Sequence, residues 1–205
     1  MYLCDKMIIM NENYQPSAKV ETFSLGLNQL IMFICVLFLG WKITELLALL
    51  GIELLVSGLL WYYVEWYWGL RLKPNRSSAE VRAFWLRGVF QIIALGIAIY
   101  TIYNSARVEN SNLLTVEMGI FSLIFALMPF GVLAIWQQRG YIPTAELLPK
   151  QIRILLAYPQ LFFTPILCGL GLLTIIYGVE AWQAAALICG LKLLFDLYIF
   201  KKSNV

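Results

Sequence analysis

The 205-residue chain contains no histidine, and that absence alone removes several chemistries. Imidazole ligation of haem, the ordinary zinc and di-iron sites, and Ser-His or Cys-His nucleophilic catalysis all lack their central residue. Charge is scarce as well: Asp, Glu, Lys and Arg make up 13% of the chain, against roughly a quarter in ordinary soluble domains. The four cysteines (Cys4, Cys35, Cys168 and Cys189) form no C-x-x-C pair, and the last three lie in apolar runs. Cysteine in such a setting is a small packing residue, not a redox or metal group. There is no G-x-S-x-G elbow, no H-E-x-x-H, no Walker lysine and no aspartate-rich signature of the membrane CDP-alcohol transferases. An enzyme would have to work through carboxylates and lysine alone, with no paired-carboxylate cluster facing a loop. No catalytic residue, metal or other cofactor is therefore expected. The net charge of +3 is too small to point to nucleic acid.

What the chain has in quantity is apolar side chain, 61% of its residues. A soluble domain of this length has no core large enough to hide so much, because much of any folded surface stays exposed. Lipid as solvent resolves the mismatch, and the fold class expected is an all-α, polytopic membrane helical bundle. Residues 1–22 are read as a cytoplasmic N-terminal segment, not a signal peptide: their apolar stretch is short and broken by Asp5 and Lys6. Six spans of roughly the length that crosses hydrocarbon are expected at about 23–40, 46–63, 88–103, 113–136, 154–177 and 181–200. They form a single domain, 23–200, and leave a cytoplasmic tail at 201–205. Trp41, Trp61, Trp66, Trp68, Trp85, Trp136 and Trp182 fall near the predicted span ends, where an amphipathic ring is expected to anchor at the headgroups.

Lys and Arg then set the orientation. Arg71, Lys73, Arg76, Arg82 and Arg87 lie in the basic loop between the second and third spans. Arg139, Lys150 and Arg153 lie between the fourth and fifth, and Lys6, Lys19, Lys201 and Lys202 flank the ends. The opposite side holds only Lys42 and Arg107. This asymmetry places both termini inside, in a multi-pass protein of the cell membrane. Asn75-Arg76-Ser77 then falls inside, so glycosylation there is not expected. Ser77-Ser78-Ala79-Glu80 has capping-box spacing and predicts a short interfacial helix ahead of the third span; Thr144–Leu148 reads similarly. The basic loop could also meet anionic lipid headgroups.

Four ionisable residues fall at membrane depth: Glu53, Glu117, Lys192 and Asp196, with Gln91 and Asn28 as further polar-core candidates. Each such charge costs about 2.5–3.5 kcal/mol on insertion scales and needs a partner or a wet cavity. Counting from the outer ends of their spans, Glu53 and Lys192 lie about 13 and 16 Å deep. Lys192 can therefore meet Glu53 across the bundle, or Asp196 one turn along its own helix. Two readings stay open: ion pairs that hold helices together, or a polar pathway in which Glu53 binds a cation or proton that Lys192 replaces in the empty state. Pro129, Pro159 and Pro165 are expected helix breaks that free backbone carbonyls. Ala94-x-x-x-Ala98 and Ala186-x-x-x-Gly190 are small-residue pairs expected to pack inside the bundle.

Asn28 in the first span, Gly40-Trp41 at its end, and the run Leu49-Leu50-Gly51-Ile52-Glu53-Leu54-Leu55 resemble the first hairpin of an uncharacterised family of small prokaryotic polytopic membrane proteins. Leu50-Gly51 stands where that family has Tyr-Trp. The resemblance implies a role for Glu53 beyond packing, and no activity. The leading functional expectation is a small transporter or channel with a Glu/Lys polar core. The alternative is a non-catalytic subunit or assembly factor that meets a membrane-protein partner or a second copy of itself.

Overall fold

The computed structural model describes residues 18–68, 77–110 and 159–202, together with the single positions 124, 127, 131 and 134. All described elements are helical, and there is no strand among the described residues. Helix α1 (Ala18–Phe38) ends at Gly40, whose φ of +67° is a left-handed conformation that only glycine adopts without strain. The chain reverses there, with the Leu39 and Trp41 N–H groups donating to the Cys35 carbonyl at 3.1 and 3.4 Å. Helix α2 (Ile43–Trp61) starts with the Glu45 carboxylate accepting from the Lys42 backbone N–H at 2.9 Å. It runs directly into a π-helical segment, Tyr62–Trp68. Helix α3 (Ser78–Glu109) opens with the expected capping box: the Glu80 N–H donates to Ser77 Oγ at 3.3 Å, and the Ser77 N–H to Glu80 Oε2 at 2.8 Å. Helices α4 (Gln160–Ile176) and α5 (Ala181–Lys202) are joined by a tight turn through Gly178.

Helix α2 is the centre of the arrangement and packs against α1, α3, α4 and α5. Its apolar stretch is 67% buried, against 22% for α3 and 39% for α5. A helix apolar on every side has to be covered on every side, by protein or by lipid. For α2 the cover is protein, with Leu46, Leu47, Leu50, Leu54 and Leu60 shielded from solvent. For α3 most of it is not: Ile92, Ile93, Ile97 and Ile99 all project outward. Three helices (α2 with its extension to Glu65, α3 and α5) are long and apolar enough to cross a membrane, and α4 is a shorter apolar helix.

Contacts along the helices fix their directions. At one end the Lys42 ammonium donates to the Glu109 carbonyl at 3.3 Å, and the Thr44 N–H to Glu109 Oε2 at 3.1 Å. At the other end the Trp61 ring stacks on Phe84 at 4.5 Å. Helices α2 and α3 are therefore antiparallel. Phe162 at the start of α4 meets Phe90 edge-on at 5.6 Å, and Gly171 further along lies against Leu47 near the start of α2, so α4 runs parallel to α3.

Several expectations are corrected. Ser77 does not open a short interfacial helix: α3 is continuous for 32 residues, about 48 Å at helical rise, because no proline interrupts Ser78–Glu109. Arg82 and Arg87 consequently lie on α3 and not in a loop. The second span does not stop at residue 63: the helical run continues to Trp68, with no glycine or proline between residues 63 and 68. Trp41 is only 4% exposed and Trp61 6%, so both pack within the protein and anchor no belt, whereas Trp85 and Trp182 are exposed. Ala94 and Ala98 do face the core, but Ala186 faces outward and a β-carbon on the half-buried Gly190 would meet open space; Ala184 and Ala185 take the buried positions instead. Pro159 is the N-cap of α4, its carbonyl accepting from the Phe163 N–H at 3.0 Å, and the residues before it lie outside the described ones. Pro165 does lie inside α4. Pro129 and Thr144–Leu148 lie outside the described residues.

Gly171 sets how closely α4 approaches α2. A β-carbon there would overlap the buried Leu47 side chain. Gly171→Val is expected to lower the thermal midpoint in detergent by an amount equivalent to about 1–3 kcal/mol. Gly190→Ala, which meets open space, should be neutral or slightly stabilising because alanine is the better helix former.

Candidate functional site

The largest fully buried side chain in the described core is a lysine. Lys192 projects from the middle of α5, about 16 Å from that helix's start, and has no exposed surface. An ammonium has three N–H donors and no acceptor, so away from water it needs three oxygen-bearing partners. Lys192 has them, and each comes from a different side chain. Its Nζ lies 2.8 Å from Glu53 Oε1 on α2. Asp196, one turn along α5, presents Oδ1 and Oδ2 at 2.9 and 3.0 Å. Gln160, the first residue of α4, presents Oε1 at 3.2 Å. Three helices thus converge on one nitrogen.

Gln160 does more than accept. Its Nε2 donates to Asp196 Oδ1 at 2.7 Å while its Oε1 accepts from Lys192. Exchanging the amide nitrogen and oxygen would turn an N–H toward an ammonium and an oxygen toward a carboxylate, so the two neighbours fix the amide's orientation. Gln160 is 3% exposed and Asp196 4%, and their helix neighbours Leu161 and Ile199 are buried apolar residues. Glu53 is the least enclosed member, with 17% of its side chain exposed. Its Oε1 is committed to Lys192, while its Oε2 is buried with no hydrogen-bond partner. Two carboxylates therefore face one ammonium, and only one of the two has all its oxygens engaged.

The structure brings Glu53, Lys192 and Asp196 together, so the cross-bundle contact and the same-helix contact both form. The other polar candidates go elsewhere. Gln91 donates from Nε2 to the Leu54 carbonyl at 2.6 Å and fills the space above Gly58, outside the Lys192 cluster. Asn28 lies on α1, its side chain outside the described residues, and the neighbouring Gln29 is buried. Arg82 is exposed and donates from Nε to its own helix at the Ser78 carbonyl, 3.3 Å away. The Arg87 guanidinium sits 4.9 Å over the Trp61 ring, a cation–π contact that extends the Trp61–Phe84 stack. Pro165 is buried in α4, five residues after Gln160. Glu117, Arg71, Lys73 and Arg76 lie outside the described residues.

Gln160 is the member that sequence reasoning missed. Its neighbour Pro159 drew attention as a helix break, and Gln160 was not weighed beside the amides of Gln91 and Asn28. The available signal was its burial requirement: an amide in a span needs partners for two donors and an acceptor, and Asp196 is the closest polar group on the following helix.

The chain matches no known protein family, no curated protein and no solved structure.

Chemically, the site is a set of oxygens that holds one cation, with carboxylate charge to spare. Nothing in it is a nucleophile activated by a base. Removing the ammonium leaves two carboxylates facing each other in an apolar setting. Lys192→Met is expected to cost about 3–5 kcal/mol, the usual penalty for an uncompensated buried charge. Adding Glu53→Gln and Asp196→Asn to Lys192→Met should recover more than half of that loss. Thermal unfolding of the purified protein in detergent reads both outcomes.

Proposed function

We propose that this chain is an integral membrane protein of six crossings, with both ends of the chain inside, that moves a small cation or proton through its polar core. The observation that carries the reading is the Glu53–Lys192–Asp196–Gln160 cluster, buried where α2, α4 and α5 meet. A structural tie between helices needs one acid and one base, and this cluster holds a second carboxylate and leaves Glu53 Oε2 without a partner. Ionisable groups retained at this depth mark ion pathways by default.

Six crossings draw support from the ends of the described helices. Helix α3 finishes beside Lys42, and α4 begins near Phe90, nineteen residues back along α3, and runs in the same direction as α3. Positions 124, 127, 131 and 134 are helical, exposed, and spaced to share one face. The inside orientation rests on Arg82, Arg87 and Lys201 at one end of the described helices and only Lys42 and Arg107 at the other. The weight that the first-hairpin resemblance gave to Glu53 points the same way. In this reading Glu53 takes the cation or proton and Lys192 compensates the site when it is empty, with the bilayer and its anionic headgroups as the surroundings.

A second reading, a non-catalytic subunit or a partner in a larger or homo-oligomeric assembly, is favoured by one observation. Ala186 is exposed and a β-carbon at the half-buried Gly190 would meet open space, as at small residues where another helix is to approach closely.

Glu53→Gln separates the two. In proteoliposomes carrying folded protein, the substitution is expected to reduce cation or proton flux at least about tenfold, the effect of losing roughly 1.4 kcal/mol of interaction with the permeating ion. Unchanged flux rules the transport mechanism out, and loss of a co-purifying partner supports the subunit reading.

A further inference from the structure

The distances around Lys192 carry information about which ion the site fits. Four oxygens from three side chains surround Nζ at 2.8, 2.9, 3.0 and 3.2 Å. Divalent ions draw oxygens much closer, to about 2.0–2.1 Å for magnesium and 2.3–2.6 Å for calcium. The spacing here is that of hydrogen bonds around an ammonium, and among the common biological metal ions potassium is nearest ammonium in size. Every oxygen is held from a helix: Glu53 from α2, Gln160 from α4, Asp196 from α5. The Gln160 amide is locked by Asp196, so its oxygen points at the same place whether or not a cation is there to attract it. Glu53 Oε2, buried and without a partner, adds acceptor capacity that the lysine does not use.

We infer that Glu53, Asp196 and Gln160 form a monovalent-cation site of ammonium or potassium size, which the Lys192 ammonium occupies as a tethered ion. The inference rests on the transport reading for its cargo class, but the site itself is defined by the oxygens. Lys192 and a free cation exclude each other there, because one volume cannot hold both. The charge count has the same consequence. Two carboxylates with a lysine side chain withdrawn need one added positive charge at minimum, and a monovalent ion supplies it without a covalent tether. Selectivity follows from the fixed frame: a larger quaternary ammonium such as choline cannot enter a cage whose oxygens sit at hydrogen-bond distance from the central atom.

Lys192→Ala tests this directly, with melting temperature as the readout and ionic strength held constant. Extraction and melting are carried out in detergent with potassium chloride, ammonium chloride or choline chloride. The variant is expected to gain about 5–10 °C as potassium or ammonium approaches saturation, to gain nothing from choline, and to lose the response when Asp196→Asn is added. Wild type, with its site already filled, is expected to show no such dependence. Equal stabilisation by choline, no stabilisation by either small cation, or a response retained in the double variant overturns the inference. Failure to recover folded Lys192→Ala in potassium or ammonium, under conditions that yield wild type, overturns it equally. The readout is binding and not flux, so a Lys192→Ala protein that binds potassium beside an unaltered Glu53→Gln flux would sink the transport reading and leave the cage standing.

Discussion

An ammonium group buried in an apolar bundle is stable only if each of its three N–H bonds finds an oxygen, and that requirement ties together most of what this structure does. Lys192 has no exposed surface, so water supplies none of the three. The partners come from its own helix at Asp196, from α2 at Glu53 and from α4 at Gln160. For all of them to reach one nitrogen, α4 has to lie close to α2, and Gly171 permits that approach by leaving room for Leu47. The packing of the apolar residues and the satisfaction of the polar ones are therefore one constraint. Loosening α4 from α2 would draw the Gln160 amide away from both Lys192 and Asp196.

The same constraint separates what is structural from what is surplus. One carboxylate would neutralise the lysine, and Asp196 is already positioned to do so from one turn away. Glu53 adds a second negative charge from another helix, with an oxygen left over. Buried ion pairs are weak stabilisers because desolvation offsets much of the Coulomb gain. A second carboxylate deepens that cost, whereas a neutral amide in its place, as at Gln160, would supply the same hydrogen bond without the added charge. An arrangement that stability alone does not favour is a reasonable place to seek function, and the ion-binding capacity of the four oxygens gives that function a chemical form.

Much of this architecture was legible in the chain. Apolar runs, aromatic clusters and the Ser77–Glu80 capping box locate the helices, since these depend on neighbours within a few residues. Depth counting along two helices brought Glu53 and Lys192 to similar levels, because helical rise is the same wherever a helix occurs. Helix continuity was harder: the stretches of α3 expected at the interface and in the membrane are one rod, and polarity alone does not end a helix that lacks a proline or a left-handed stop. Trp41 and Trp61 show the limit from the other side. A tryptophan near a predicted span end is compatible with a headgroup anchor and with a packed core residue, and only the neighbouring helices decide between them.

The sequence by itself determined a helical chain too apolar for water, with charge sparse enough that Lys192 and its acidic partners stood out. It did so because composition, helix periodicity and rise are local properties, summed along the chain. The tertiary structure alone decided that Gln160 joins the cluster, that Gln91 turns instead to the Leu54 carbonyl, and that Ala98 faces inward while Ala186 faces out. Those outcomes depend on how closely and at what rotation one helix meets another. A few contacts between residues far apart in sequence set that geometry, and no stretch of the chain encodes it alone.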